Sequence, residues 1–247
     1  MSSSEVATAA PVRYRHARVR ALFDELADTY GWSGWLSGGL LGRWRRQLVR
    51  ALREPAGGPP QVVDLMAGGA ELWPALRNRF GASLRVDAVD FSASMLARSH
   101  TLAAGPQLHL HQADALNTPV PSGQASAVTV AFGLKTLAVP EYAALAEEAA
   151  RLLRPGGEVA LVEFVLPAPR WQRLVLERYV AGWATALSWW LPAAASHAEL
   201  LAYAGAGPDW FALRRALAGA GFEQVRQQRL WPGCAVLLTA VKTPAAQ

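Results

Sequence analysis

The chain has 247 residues, 52% of them hydrophobic, a single cysteine and a formal net charge of +5. It is too apolar for a disordered chain, Cys234 has no intrachain partner, and no cysteine–histidine set has the spacing of a metal site. The positive charge is almost wholly arginine, in clusters such as "RYRHARVR" (13–20) and "RWRRQLVR" (43–50). Nearby carboxylates and helical spacing mark these as solvated helix faces rather than a nucleic-acid footprint.

Two amphipathic helices are expected first. "HARVRALFDELADTYGW" places Val19, Leu22, Phe23, Leu26 and Tyr30 on one face, and "GLLGRWRRQLVRALRE" groups Leu40, Leu41, Trp44, Leu48 and Leu52. The run "EPAGGPP" (54–60) ends the second and serves as a linker. Strands and helices then alternate. Strands are expected at 61–66, 84–90, 107–114, 126–133 and 158–167, with helices at 71–80, after Ser92 as a cap, and from Pro140 to the "RPGG" turn. Such alternation means parallel strands with right-handed crossovers. Strands at 223–230 and 234–242, joined by Trp231-Pro232-Gly233, must pair antiparallel. Between them and the parallel part lies "YVAGWATALSWWLPAAASHA" (179–198), without Asp, Glu, Lys or Arg. Pro192 interrupts it, so it reads as a core-facing or lid helix that allows shallow membrane contact rather than a span. With no apolar leader in "MSSSEVATAAPVRYRH", the expectation is a cytoplasmic protein, with peripheral membrane contact left open.

In an open parallel sheet, ligands bind beyond the C-terminal strand ends at the topological switch. Asp64 to Glu71, Asp90, Asp114, "AFGLKT" (131–136) and Glu163 occupy those ends. An acidic residue ending strand two, roughly 20 residues after a glycine turn, suits a ribose diol, which makes Asp90 the leading ligand residue. Asp114 could accept from an adenine amino group, or could close an Asx turn before "NTP". Gly68 and Gly69 permit close backbone approach. Met66 and Ala70, however, leave fewer open backbone N–H groups than a pyrophosphate needs. A cofactor without phosphates fits better than a nicotinamide dinucleotide.

These residues resemble the class I S-adenosylmethionine-dependent methyltransferases, and among them the ubiquinone/menaquinone-biosynthesis C-methyltransferases. The likeness runs through Phe23-Asp24, Ala27, Tyr30, "LSGG" (36–39), "WRR" (44–46), "DLMAGGAE" (64–71), "DFSASML" (90–96), "FGLKT" (132–136), "RLLRPGGEVALVEFVLP" (151–167) and "AGF" (220–222). It implies a doubly wound, seven-stranded α/β Rossmann-like sheet with its last strand antiparallel. Residues 1–55 would form a helical cap and 56–247 the methyltransferase domain, with a helical lid insertion at about 170–207. It also implies S-adenosylmethionine held by Asp64, Gly68, Gly69, Asp90, Asp114 and Ala115, and no metal. The departures lie at Met66, Gly69, Ala70 and Lys135-Thr136, where the family has Arg-Asn, and at "HAEL" (197–200) near the lid.

The expected reaction is methyl transfer to carbon or oxygen of a lipophilic hydroxylated aromatic, quinone or polyketide-like molecule. His197 is the candidate base and Lys135 the candidate phenolate stabiliser. An exposed histidine and a surface lysine are the plain alternatives for these two. Because both ends of the chemistry are altered, a methyltransferase fold repurposed for cyclisation or rearrangement is the rival reading. The oligomeric state is left open, a homodimer being one option.

Overall fold

The computed structural model describes residues 37–55, 58–101, 107–188 and 207–244. The first expected helix, the break at Pro192 and His197 lie outside these residues.

Helix α1 (Leu40–Ala51) leads into strand β1 (Gln61–Leu65), helix α2 (Trp73–Phe80) and strand β2 (Arg85–Asp90). Short helix α3 (Ala93–Ala97), β3 (Leu108–Gln112), β4 (Ala125–Ala131), α4 (Glu141–Leu152) and β5 (Leu153–Phe164) follow. The described chain closes with α5 (Arg170–Ser188), α6 (Trp210–Gly219), β6 (Phe222–Leu230) and β7 (Ala235–Lys242). The seven strands form one sheet in the order β3-β2-β1-β4-β5-β7-β6. Strands β1 to β5 pair parallel, whereas β7 runs antiparallel to both β5 and β6.

Strands β1, β2, β4, β5 and β7 are largely buried, whereas the edge strands β3 and β6 are partly exposed and carry polar residues. On one face Val63, Leu65, Val128 and Leu161 pack with Tyr142, Leu145 and Leu152 of α4 and Leu213 and Leu217 of α6. On the other, Val62, Ala127, Ala160 and Val162 pack with Trp44 and Leu48 of α1 and Trp73 and Leu76 of α2. Helices on both faces make the sheet doubly wound, as expected.

The caps also follow the sequence. The Ser92 hydroxyl accepts from Met95 N–H at the start of α3, and the Asp209 carboxylate accepts from Ala212 N–H at the start of α6. Several boundaries shift: β5 begins at Leu153, taking in the expected "RPGG" turn, and ends at Phe164, and β3 and β4 end two residues earlier than expected. Helix α2 begins at Trp73 rather than Glu71, because 66–72 is used in the turn, and Pro140 caps α4 instead of opening it.

From β1 the chain builds outward to β3 and then returns to the other side of β1 for β4. The loops leaving β1 and β4 therefore diverge and open a crevice at the C-terminal edge of the sheet. Trp44 ties α1 to this edge. It is 2% exposed, its ring lies 6.2 Å from Phe132 and 6.5 Å from Phe164, and its indole N–H donates to the Trp231 carbonyl at 2.8 Å.

Candidate active site

The crevice is walled by three loops. Met66, Gly68 and Glu71 come from the loop after β1, Asp90, Phe91 and Met95 from the end of β2 and α3, and Ala131 to Gly133 with Thr136 from the end of β4.

The first loop is stitched across to β2. Ala67 N–H donates to the Val89 carbonyl at 3.0 Å and Gly68 N–H to Asp90 Oδ2 at 2.8 Å. Asp90 Oδ1 accepts from Ser92 N–H at 2.9 Å. The Asp90 carboxylate is thus oriented by backbone donors on both oxygens while still bordering the crevice. A side chain at Gly68 would fill this wall, since its β-carbon would stand 2.9 Å from Glu71 Oε2 and 3.1 Å from Met95 Cε.

The altered glycine positions keep a glycine-like backbone. Met66 (φ 56°), Gly68 (φ 57°) and Ala70 (φ 57°) are all left-handed, and so is Phe132 (φ 67°) across the crevice. Such a conformation costs roughly 1–2 kcal/mol for a residue with a β-carbon. Its concentration around one crevice is what functional loops show. Gly69 is not left-handed, so its backbone does not require glycine, but a β-carbon there would stand 3.2 Å from Glu71 Oε1.

Beneath the loop, Asp64 is 3% exposed and accepts from the Thr129 hydroxyl at 2.7 Å, across the β1–β4 pairing that sets the two side by side. Burial, the leading cause, lifts its carboxyl from 3.8 to about 7, with Glu71 and Asp90 adding repulsion and Thr129 and Arg45 opposing. Glu71 stands between two guanidinium groups, Arg45 at 4.0 Å and Arg98 at 3.8 Å.

Lys135 is not a surface lysine. Its side chain is 11% exposed and its Nζ lies 3.9 Å from Oε1 of Glu163, which is wholly buried. Glu163 Oε2 accepts from Lys135 N–H at 3.2 Å and Oε1 from Phe164 N–H at 2.8 Å. Burial pushes the Glu163 carboxyl above its ordinary range, and Lys135 pulls it back. The Thr136 hydroxyl donates to the Gly133 carbonyl at 2.7 Å, which holds the end of the β4 loop in a tight turn.

Of the residues expected from sequence, Gly68 and Asp90 border the crevice, Asp64 lies below it and Gly69 beside it. Ala115 is 5% exposed and belongs to the core. Asp114 is exposed, and its carboxylate accepts from Leu116 N–H at 2.9 Å, which is the Asx turn weighed against an adenine contact. Phe91 and Met95 were not singled out as site residues. Met95 follows the Ser92 cap by three positions, one helical turn, and that spacing aims it back at the end of β2.

The crevice suits S-adenosylmethionine. An anchored carboxylate, Asp90, borders the crevice, and Phe91 and Met95 supply apolar surface beside it. Fold and crevice together define a class I S-adenosylmethionine-dependent methyltransferase.

The model of the ubiE/COQ5 methyltransferase family matches residues 12–242, and the chain belongs to that family. It is 32% identical over 228 residues to a demethylmenaquinone methyltransferase of Clavibacter sepedonicus, covering 91% of this chain and 90% of that one. It is 29% identical to a 2-phytyl-1,4-naphtoquinone methyltransferase of Thermosynechococcus vestitus, with 91% and 99% covered. Among solved structures, geranyl diphosphate C-methyltransferase from Streptomyces coelicolor superposes with a TM-score of 0.56 at 15% identity, covering 82% of this chain and 79% of that one. Among the described residues, no helix is long and apolar enough to cross a membrane.

Proposed function

We propose that this chain methylates a ring carbon of a lipophilic hydroxylated aromatic of the quinone type. The observation that carries the reading is Lys135. It is a nearly buried cation paired with Glu163, one residue before Thr136 of the crevice wall, and in this reading it faces the hydroxyl of a flat phenolic acceptor. The quinone-directed names of relatives matched over nine-tenths of the chain support the same class. They lend no support to a cyclisation or rearrangement.

S-adenosylmethionine, when bound, supplies an electrophilic methyl group on a sulfonium. The chain's own part is to orient and to exclude water. Asp90 would hold the ribose diol, Gly68 would let the loop backbone approach, and Met95 and Phe91 would offer apolar surface to the adenine. The acceptor carbon must be electron-rich, so its ring hydroxyl has to be ionised or strongly polarised, and Lys135 stabilises the resulting phenolate. Glu163 holds the ammonium in place. The ring proton lost after methylation goes to a base, a role assigned to His197 from its place in the sequence.

The test uses S-adenosylmethionine carrying a deuterated methyl group and a reduced naphthoquinone with a free ring position. Mass spectrometry and NMR should find the label on carbon, and Lys135→Met should lower kcat while leaving cofactor affinity unchanged. An O-methyl ether, or an unaltered rate in Lys135→Met, would overturn the assignment.

A further inference from the structure

Helix α5 carries more apolar surface than the sheet covers. Leu176 packs against the core, and Gln172, one turn earlier, borders Gly233. On the adjoining arc Trp171, Leu174, Val175 and Tyr179 are 67%, 52%, 60% and 47% exposed. Their spacing of three, four and eight from Trp171 places them in one stripe. A helix on a soluble domain ordinarily turns such a stripe inward, and a contiguous exposed one marks an interaction surface.

The surroundings of the stripe are basic. Arg170, Arg173 and Arg178 are exposed along the helix. Its one carboxylate, Glu177, is engaged by Arg173 at 2.8 Å. The turn that Gln172 borders carries another exposed tryptophan, Trp231 (65%), with the Arg43 guanidinium 5.3 Å above its ring.

We propose that this face of α5, with Trp231 and Arg43 beside it, docks the protein on an anionic lipid surface. Indole and phenol rings suit the boundary between headgroups and acyl chains. Arginines bind phosphate as a planar fork. A second copy is the poorer occupant, because a two-fold contact would set the same arginines against each other. Helix α5 starts just after β5, whose end carries Glu163, so docking would bring the crevice to a membrane-dissolved acceptor. That purpose rests on the quinone reading, but the docking itself does not, and its test contains no acceptor.

The full chain is sedimented with vesicles of equal parts phosphatidylglycerol and phosphatidylcholine, and with vesicles of phosphatidylcholine alone. Binding should be at least about tenfold tighter to the anionic vesicles and should weaken with salt. Trp171→Ser with Leu174→Ser should lose about tenfold, and Arg170→Gln and Arg178→Gln about fivefold each on anionic vesicles only. The arginine variants change exposed charge alone and keep the test decisive if the serine pair fails to fold. Failure of the parent to sediment, or variants that bind as the parent does, would overturn the proposal. So would a dimer, seen by sedimentation equilibrium, that the serine pair dissolves. Calorimetric binding of S-adenosylhomocysteine is measured alongside. Its absence would count against the cofactor site, not against the docking face.

Discussion

The Met66 side chain lies so close over Gly133 that a β-carbon there would stand 2.4 Å from Met66 Sδ and 2.7 Å from Met66 Cβ. The loops after β1 and β4 meet at this contact, and both residues border the crevice. Bulk added on one side must be removed from the other, as in any close-packed contact. Gly133→Ala should cost about 1–3 kcal/mol of stability through overpacking and weaken cofactor binding. Met66→Gly in the same chain removes both the sulfur and the β-carbon at a left-handed position that glycine adopts freely, and should restore most of both. Urea denaturation and calorimetry on the two single variants and the double variant measure the coupling, and strict additivity would show that the contact does not shape the crevice.

Asp90 gathers backbone N–H groups from Gly68 and Ser92 onto one carboxylate. Asp90→Ala removes both acceptors and the charge. Affinity for S-adenosylhomocysteine should fall by more than about tenfold, the loss of one charge-assisted hydrogen bond. Asp90→Asn keeps an acceptor for only one of the two donors, so it should sit between alanine and the parent. An alanine variant that binds as tightly as the parent would remove Asp90 from the site.

Burial leaves Asp64 with a folded-state pKa of about 7 against an ordinary 3.8. The folded chain therefore holds this proton more tightly than the unfolded chain does. Stability from this group is fully present below the lower value and is lost as pH rises toward the higher one. Asp64→Asn keeps an acceptor for the Thr129 hydroxyl and removes the titration. Its stability relative to the parent should rise with pH across that window and be highest above pH about 7. Urea midpoints measured across pH would show it, and a constant difference would mean that Asp64 does not titrate there.

Trp44 joins α1 to the sheet both by packing and by its bond to the Trp231 carbonyl. Trp44→Ala should cost about 3–5 kcal/mol, as buried aromatic truncations do. Trp44→Phe retains most of the bulk but leaves that carbonyl without its donor, and should cost about 1–3 kcal/mol. Equal losses in the two variants would mean that the hydrogen bond, and not the ring, sets the cost.

Much of the site was legible because it depends on local pattern. Asp90 could be read from its place at the end of an apolar strand after a glycine turn, and the Ser92 cap from its residue type ahead of a helical run. Asp114 was ambiguous for the same reason. An aspartate two residues before a usable N–H can satisfy itself locally, and here it does. Lys135 and Glu163 are 28 residues apart, and no periodicity links them. They meet because β4 and β5 are neighbours in register.

Alternation of apolar strands with helices determined by itself the doubly wound class, the parallel direction of β1 to β5 and the antiparallel ending, because side-chain period and loop length constrain which elements can pair. Tertiary structure alone decided that Met66 and Ala70 would take the left-handed backbone of glycines, that Met66 would cover Gly133, and that α5 would leave part of its apolar face in solvent. Those outcomes depend on which surfaces meet across the sheet. A backbone strain of about 1–2 kcal/mol per residue is small enough for such packing to override and too small for the sequence to display.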